Sequence, residues 1–289
     1  MKWERFETRA RGKWVLAGEH AVLRGVSAIA IPHPEFSLRL SFVPEPGLPL
    51  QVSPVSAQTV VDEILQSVRD EEQAEDRTFT LPEGWLEIDS TIPIGAGLGS
   101  SAALCVAIAR WLAKNLRIET AQAIYEFATR LEHRFHGRSS GMDVAVINAD
   151  EPISFSMKGQ KPLGIRTLPK FTFHDTEVRA RTSDCVAQVV QLREKDPAQA
   201  MRLDEAMGEA SRLAMEGLIR YNHASEGASG AAALELVARA MREAQKCYYS
   251  WDLVPVEARE IEAKLLAEGA LAVKLTGAGG GGMLVALWA

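Results

Sequence analysis

Between Ile92 and Ala103 the chain reads Ile-Pro-Ile-Gly-Ala-Gly-Leu-Gly-Ser-Ser-Ala-Ala, residue types suited to holding a phosphate group. Gly95, Gly97 and Gly99 lack a Cβ, so the backbone there can turn through positive φ and come close to a ligand. Ser100 and Ser101 add two hydroxyls. Upstream, Leu86, Ile88, Ser90 and Ile92 alternate with Glu87, Asp89 and Thr91, the period of a half-buried strand that Pro93 ends. Downstream, Ala102, Cys105, Val106, Ala109, Leu112, Ala113 and Leu116 recur at helical spacing. A glycine loop between strand and helix presents free N–H groups and the positive end of the helix dipole to an anion.

Other phosphate-loop readings fit less well. A Walker A loop ends in Gly-Lys-Ser/Thr, and no lysine follows Gly99. Gly97, Gly99 and Ala102 satisfy a dinucleotide fingerprint, with Glu119 at the distance of a ribose-binding acid, but Glu119 precedes a helix, not a second strand's end. A serine N-cap without a ligand uses one serine and leaves three spaced glycines unexplained.

Charged side chains elsewhere could complete such a site. Lys13 shares one face of a short strand with Val15 and Ala17, and the strand leads into a turn with Glu19 beside His20. Each also has an ordinary reading, as a snorkelling lysine or a solvated loop residue. Glu132 lies at the edge of an apolar helix stripe of Ala121, Ile124, Phe127, Ala128 and Leu131, with Thr120 as cap. A carboxylate there calls for a cation, and spacing alone leaves Arg130 and a metal ion equally open. Asp143 closes the stretch His136-Gly137-Arg138-Ser139-Ser140-Gly141-Met142-Asp143. It is either the third residue of a helix capped by Ser140, as in a capping box, or a general base.

Pro93 with Gly95 to Ala102 resembles the phosphate loop of the GHMP kinases, which include galactokinase, homoserine kinase, mevalonate kinase and phosphomevalonate kinase. Gly12-Lys13 with Gly18-Glu19-His20-Ala21-Val22-Leu23-Arg24-Gly25 resembles the first motif of the mevalonate kinase branch, Arg11 standing where that motif has proline. His136 to Asp143 is similar to its His-Gly-x-Pro-Ser-Gly-Val/Ile-Asp, with Ser139 for proline and Met142 for valine. Val144-Ala145 is like the phosphomevalonate kinases instead. Lys274 to Gly282, Lys-Leu-Thr-Gly-Ala-Gly-Gly-Gly-Gly, resembles the third family motif, and Arg181-Thr182 resembles a segment near the family's substrate.

The resemblance implies an ATP-dependent kinase acting on a small-molecule substrate, mevalonate, and giving 5-phosphomevalonate. Pro93, Gly95, Ala96, Gly97, Leu98, Gly99, Ser100, Ser101 and Ala102 would hold ATP, and Ser101 with Glu132 would hold Mg²⁺. The family's magnesium-binding glutamate lies eleven positions before its catalytic aspartate, as Glu132 does before Asp143. Asp143 would take the substrate hydroxyl's proton, and Lys13 would keep that carboxylate ionised and stabilise charge in the transfer. Lys13, Glu19, His20, Asp143, Thr182, Gly277, Ala278 and Gly279 would line the mevalonate site. The implied fold is α+β with two domains. Residues 1–160 form a mixed α/β domain with the phosphate loop at a helix N-terminus, and residues 161–289 a helix-rich, ferredoxin-like α+β domain. Phosphomevalonate kinase is the alternative enzyme. A non-catalytic binding protein of the same fold is the alternative from another class.

Bulk properties agree with an enzyme of small molecules. The 289 residues are 47% hydrophobic and 24% charged, an ordinary globular composition. A formal net charge of −6 argues against nucleic-acid partners. No apolar run reaches about 18 residues, so no membrane partner is expected. Cys105, Cys185 and Cys247 are too dispersed for a disulfide framework or metal spacing, and a charged start without an apolar core points to the cytoplasm. A homodimer is compatible with all of this.

The elements that must position these residues follow from periodicity. Residues 34–56, rich in proline and strand formers, read as edge strands and turns, Val60 to Arg69 as a helix, and Asp70 to Asp76 as solvated surface. A proline, glycine and lysine-rich stretch between Glu151 and Phe173 marks the domain boundary. Helices are predicted over Asp184–Leu192, Ala198–Arg220, Ala231–Tyr249 and Val256–Glu268. The chain closes as strand, glycine turn, strand. Five glycines in six residues exceed a hairpin's need unless other groups pass close by.

Overall fold

The computed structural model describes residues 3–136, 139–224 and 228–289. Gly137 and Arg138 of the aspartate motif lie outside the described residues. The chain divides into two compact units. One comprises Met1–Gly12, His33–Ile92 and Gly99–Asp150, the other Lys13–Pro32, Pro93–Leu98 and Glu151–Ala289. Strands β1 (Phe6–Ala17) and β2 (Ala28–Pro49) pair with each other and each supplies residues to both units.

In the first unit β2 continues without a break where short edge strands were expected. It pairs antiparallel with β4 (Glu83–Ser90), from Leu38↔Ser90 to Pro44↔Gly84, and β3 (Gln51–Ser53) lies parallel on the other side of β4. The prolines sit at weak points of the ladder. Pro32 and Pro34 fall between the stretches paired with β5 and with β4, and Pro44 and Pro49 are the paired residues on either side of a register shift. Leu38, Leu40 and Phe42 of β2 and Leu86 of β4 form the buried face of this sheet.

Helix α1 (Gln58–Ala74) runs past its expected end and buries Val61, Ile64, Leu65 and Val68. Its last turn is polar, as the charged stretch required. Helix α2 (Ser100–Ala113) is apolar nearly all round, and it is enclosed accordingly by α3 (Ala121–His136), α4 (Met142–Ala149) and the Phe42 ring, 5.0 Å from Trp111. Thr120 caps α3 as expected, its Oγ1 accepting from the Ala123 N–H at 3.1 Å.

His33 on β2 is fully buried and stacked on Phe36, with its Nδ1 accepting from the N–H groups of Glu35 and Phe36 at 3.1 Å each. Burial pushes its pKa down to about 4. An unfolded histidine protonates near 6.5, so between these values the unfolded chain binds more protons, and stability falls as pH drops through that window. In His33→Asn the amide oxygen can still accept from the turn but does not titrate. Between pH 7 and 4.5 the variant should lose about 2 kcal/mol less than the parent in urea melts. Identical pH slopes would remove His33 from the acid response.

In the second unit the start of β2 pairs with β5 (Ile153–Ser156), which pairs with β6 (Gly159–Pro162). A separate antiparallel sheet has the order β7 (Lys170–Asp175), β9 (Met283–Trp288), β8 (Ala272–Thr276). Helices α5 (Thr182–Lys195), α6 (Pro197–His223), α7 (Ala228–Ser250) and α8 (Val256–Ala267) agree with the predicted ones. Helices α6 and α7 pack along each other, and α7 and α8 cover β8. Cys105, Cys185 and Cys247 are buried free thiols. Among the described residues no helix is long and apolar enough to cross a membrane.

Candidate active site

In the second unit, β8 and the end of β1 are fastened by side chains. The Val15 N–H donates to Thr276 Oγ1 at 2.8 Å, and that hydroxyl donates back to Val15 O at 3.1 Å. The Lys13 N–H donates to Leu98 O at 2.9 Å, tying the stretch Pro93–Leu98 to the same strand. The turn after β1 then places Glu19 and His20, both buried. His20 holds a left-handed φ of 59°, and its Nε2 lies 2.8 Å from Ala278 O, so the proton is assigned to Nε2. Burial lowers its pKa and the bond to Ala278 opposes this, which favours the neutral ring.

Glu19 meets Lys274, wholly enclosed on β8. Lys274 Nζ donates to Glu19 Oε1 at 2.6 Å and to Val15 O at 3.1 Å, and lies 5.3 Å from the Tyr248 ring centroid. Burial pushes the Lys274 pKa down and the Glu19 charge works against that. Glu19 Oε2 has no hydrogen-bond partner. Tyr248 donates its hydroxyl to Gly277 O, and Trp251 packs edge-on to His20 with ring centroids 5.0 Å apart.

The glycine excess has a steric cause. A Cβ on Gly97 would come within 3.2 Å of Thr276 O, and one on Gly277 within 3.3 Å of Gly97 Cα. The phosphate-type loop and the β8–β9 turn thus cross backbone to backbone. Gly277, Ala278 and Gly279 reach His20 through Ala278, and Cys185 on α5 donates its thiol to Gly279 O at 3.3 Å. Thr182 opens the same helix at an exposed position.

The first unit holds the remaining expected residues. Gly99, with φ 76°, is the N-cap of α2 and has no side chain to accept from the first-turn amides of Ser100, Ser101 and Ala102. A glycine cap brings no side-chain acceptor of its own to a helix start, and a helix start suits an anion such as phosphate. Glu132 is buried on α3, and its charge adds to the burial that raises the Cys105 pKa. Cys105 lies one helical turn after Ser101 on α2, the helix that packs against α3.

Asp143 sits in the first turn of α4. The cap differs from the capping-box expectation. Gly141, with φ 78°, is the N-cap, while Ser140 Oγ accepts from the Met142 N–H at 3.3 Å. Left-handed backbone suits glycine, and here a Cβ would also lie 2.7 Å from the Tyr125 hydroxyl, which is why serine does not occupy the cap.

The donor set fits magnesium. Among the described residues no three His, Cys, Asp or Glu side chains cluster as a metal cage. Magnesium needs none, since it takes one or two carboxylates and completes its shell with phosphate oxygens and water. One buried carboxylate on α3, which packs against the serine-bearing helix α2, matches that demand.

Several contributors carried no site role in the motifs. Lys274 opens the third motif but was not expected among the site residues, and Tyr248 fell within the predicted helix Ala231–Tyr249. Arg179 lies in the β7–α5 connection with its Cδ 3.5 Å from where a Cβ on Gly95 would be, so a guanidinium, held by Asp175 at 2.6 and 2.7 Å, borders the glycine loop.

Two family profiles match the chain, that of the GHMP kinases N terminal domain over residues 60–149 and that of the GHMP kinases C terminal region over residues 229–288. The mevalonate kinase of Thermococcus gammatolerans is 30% identical over 312 residues, spanning 96% of this chain and 87% of its own. That of Aeropyrum pernix is 28% identical over 310 residues, with the same coverage of both chains. Among solved structures, L. major mevalonate kinase in complex with R-mevalonate superposes with a TM-score of 0.77 at 24% identity, covering 98% of this chain and 87% of that one. Streptococcus pneumoniae phosphomevalonate kinase gives 0.75 at 16% identity, covering 99% and 92%. These two share the fold.

Proposed function

The chain belongs to the GHMP kinase family and is an ATP-dependent small-molecule kinase, and from that premise we propose that its acceptor is mevalonate, phosphorylated on the primary hydroxyl. The observation that carries this reading is the run of relatives named mevalonate kinase, 28–30% identical across 96% of the chain. The Glu19–His20 turn, fastened to Lys274 and Ala278, supports it, because these are the residues through which the chain resembles that branch.

In this reading the amides of Gly95 to Ala102 bind the triphosphate. Ser101 and Glu132 would hold Mg²⁺, and that ion would supply neutralisation of the phosphate charge. Asp143 accepts the proton of the acceptor hydroxyl as its oxygen bonds to the γ-phosphorus and ADP leaves. Lys13 supplies positive charge to the phosphoryl oxygens. Neutral His20 and the backbone at Gly277, Ala278 and Gly279 orient the acceptor, with Glu19 and Thr182 as further lining. Sites of this kind accelerate transfer by positioning and electrostatics, with no covalent enzyme intermediate.

A second reading, phosphomevalonate kinase, is favoured by one feature, Val144-Ala145 after Asp143. A coupled ADP-release assay with mevalonate, phosphomevalonate, homoserine and galactose separates the two. Mevalonate should give a kcat/KM at least about 100-fold above the others, the discrimination expected when a site's buried polar groups are left unpaired by the wrong ligand. A higher value with phosphomevalonate would replace the proposal by the second reading.

A further inference from the structure

The turn between α3 and α4 carries a hydroxyl in place of the family's proline, and its hydrogen bonds join two parts of the catalytic apparatus. Ser139 Oγ lies 2.5 Å from Glu132 Oε2 and accepts from the Gly141 N–H at 3.1 Å. A hydroxyl has one proton, and the Gly141 amide already occupies a lone pair, so that proton is directed to the carboxylate. Bonds of a hydroxyl to an ionised acid are short and strong, as this one is. The turn itself is braced, His133 Nε2 lying 3.3 Å from Ser139 O and the Tyr125 hydroxyl filling the space beside Gly141.

We propose that Ser139 is a positioning residue for the magnesium-binding carboxylate, fixing the rotation of Glu132 and tying it to the N-cap of the helix that carries Asp143. The inference rests on the kinase reading above and extends it to a position where this chain departs from the family motif. A carboxylate that can rotate freely must be ordered when the ion arrives, and a partner that orders it beforehand raises affinity. In family members with proline at this place, ring closure restricts the turn without bonding the acid. Here the serine does both tasks through one oxygen.

The test is metal binding measured directly. Free Mn²⁺ is titrated by electron paramagnetic resonance in the presence of ADP for the parent, Ser139→Ala, Ser139→Thr and Glu132→Gln, with Ser139→Cys, isosteric but a weak donor, as a second route to hydroxyl loss. Loss of a carboxylate's outer partner typically weakens metal binding about 10- to 100-fold. Ser139→Ala and Ser139→Cys should fall in that range and Ser139→Thr should stay near the parent. In turnover assays the Mg²⁺ concentration for half-saturation should rise by the same factor while the acceptor KM is unchanged, a split that general loosening of the fold would not produce. If Ser139→Ala and Ser139→Cys titrate like the parent while Glu132→Gln is weakened, the positioning role is overturned and the metal assignment stands. If Glu132→Gln also titrates like the parent, both are overturned.

Discussion

Asp143→Asn is expected to lower kcat at least about 100-fold while leaving the affinity for MgATP unchanged, the usual scale for removing a general base. Asparagine is nearly isosteric and can still accept a hydrogen bond from the acceptor hydroxyl, but it cannot take the proton. The helix beneath it should survive, because its ends are secured independently. Arg110 of α2 donates to Ile147 O and Asn148 O at 3.3 and 3.2 Å, Arg11 pairs with Asp150 at 2.6 Å, and Gly141 in left-handed backbone forms the N-cap. Steady-state ADP release gives kcat, and calorimetric titration with a non-hydrolysable ATP analogue gives affinity. Undiminished turnover would take Asp143 out of the proton transfer.

The second large effect concerns stability. Lys274→Met should cost about 3–5 kcal/mol, because it leaves the Glu19 carboxylate enclosed with its cation removed. Methionine fills most of the lysine volume, so the loss is electrostatic more than a cavity effect. One further measurement isolates that cause. The double variant Glu19→Gln with Lys274→Met removes both charges and should recover most of the loss, since a buried pair replaced as a unit is often near neutral. Urea midpoints for the three proteins provide the numbers. A single variant within about 1 kcal/mol of the parent would mean that the pair contributes no more than an exposed one.

Much of the fold was legible because its signals are local. Four helices of the C-terminal half were marked by apolar recurrence at 3.6 residues, and the ends of α8 and β9 fell within a residue or two of expectation. Strand β2 was not, since five prolines between residues 32 and 49 read locally as edges and turns. Only its partners show that those prolines fall where the ladder changes hands or breaks. The cap of α4 was misread for a related reason. Serine is the commoner N-cap, and the nearby Tyr125 hydroxyl that leaves room for glycine alone comes from a helix beginning some twenty residues earlier.

By itself the sequence determined which segments become strand and helix, where the loop amides fall, and which acids and bases are available, because glycine spacing, apolar period and residue chemistry act over a few neighbouring positions. The tertiary structure decided which of them meet. Glu19 and Lys274 are 255 positions apart, His20 and Ala278 are 258 apart, and the close crossing of Gly97 and Gly277 depends on two backbones from distant parts of the chain. Such contacts arise from burial of shared apolar surface, which rewards the arrangement of whole elements and leaves no periodic trace in either segment read alone.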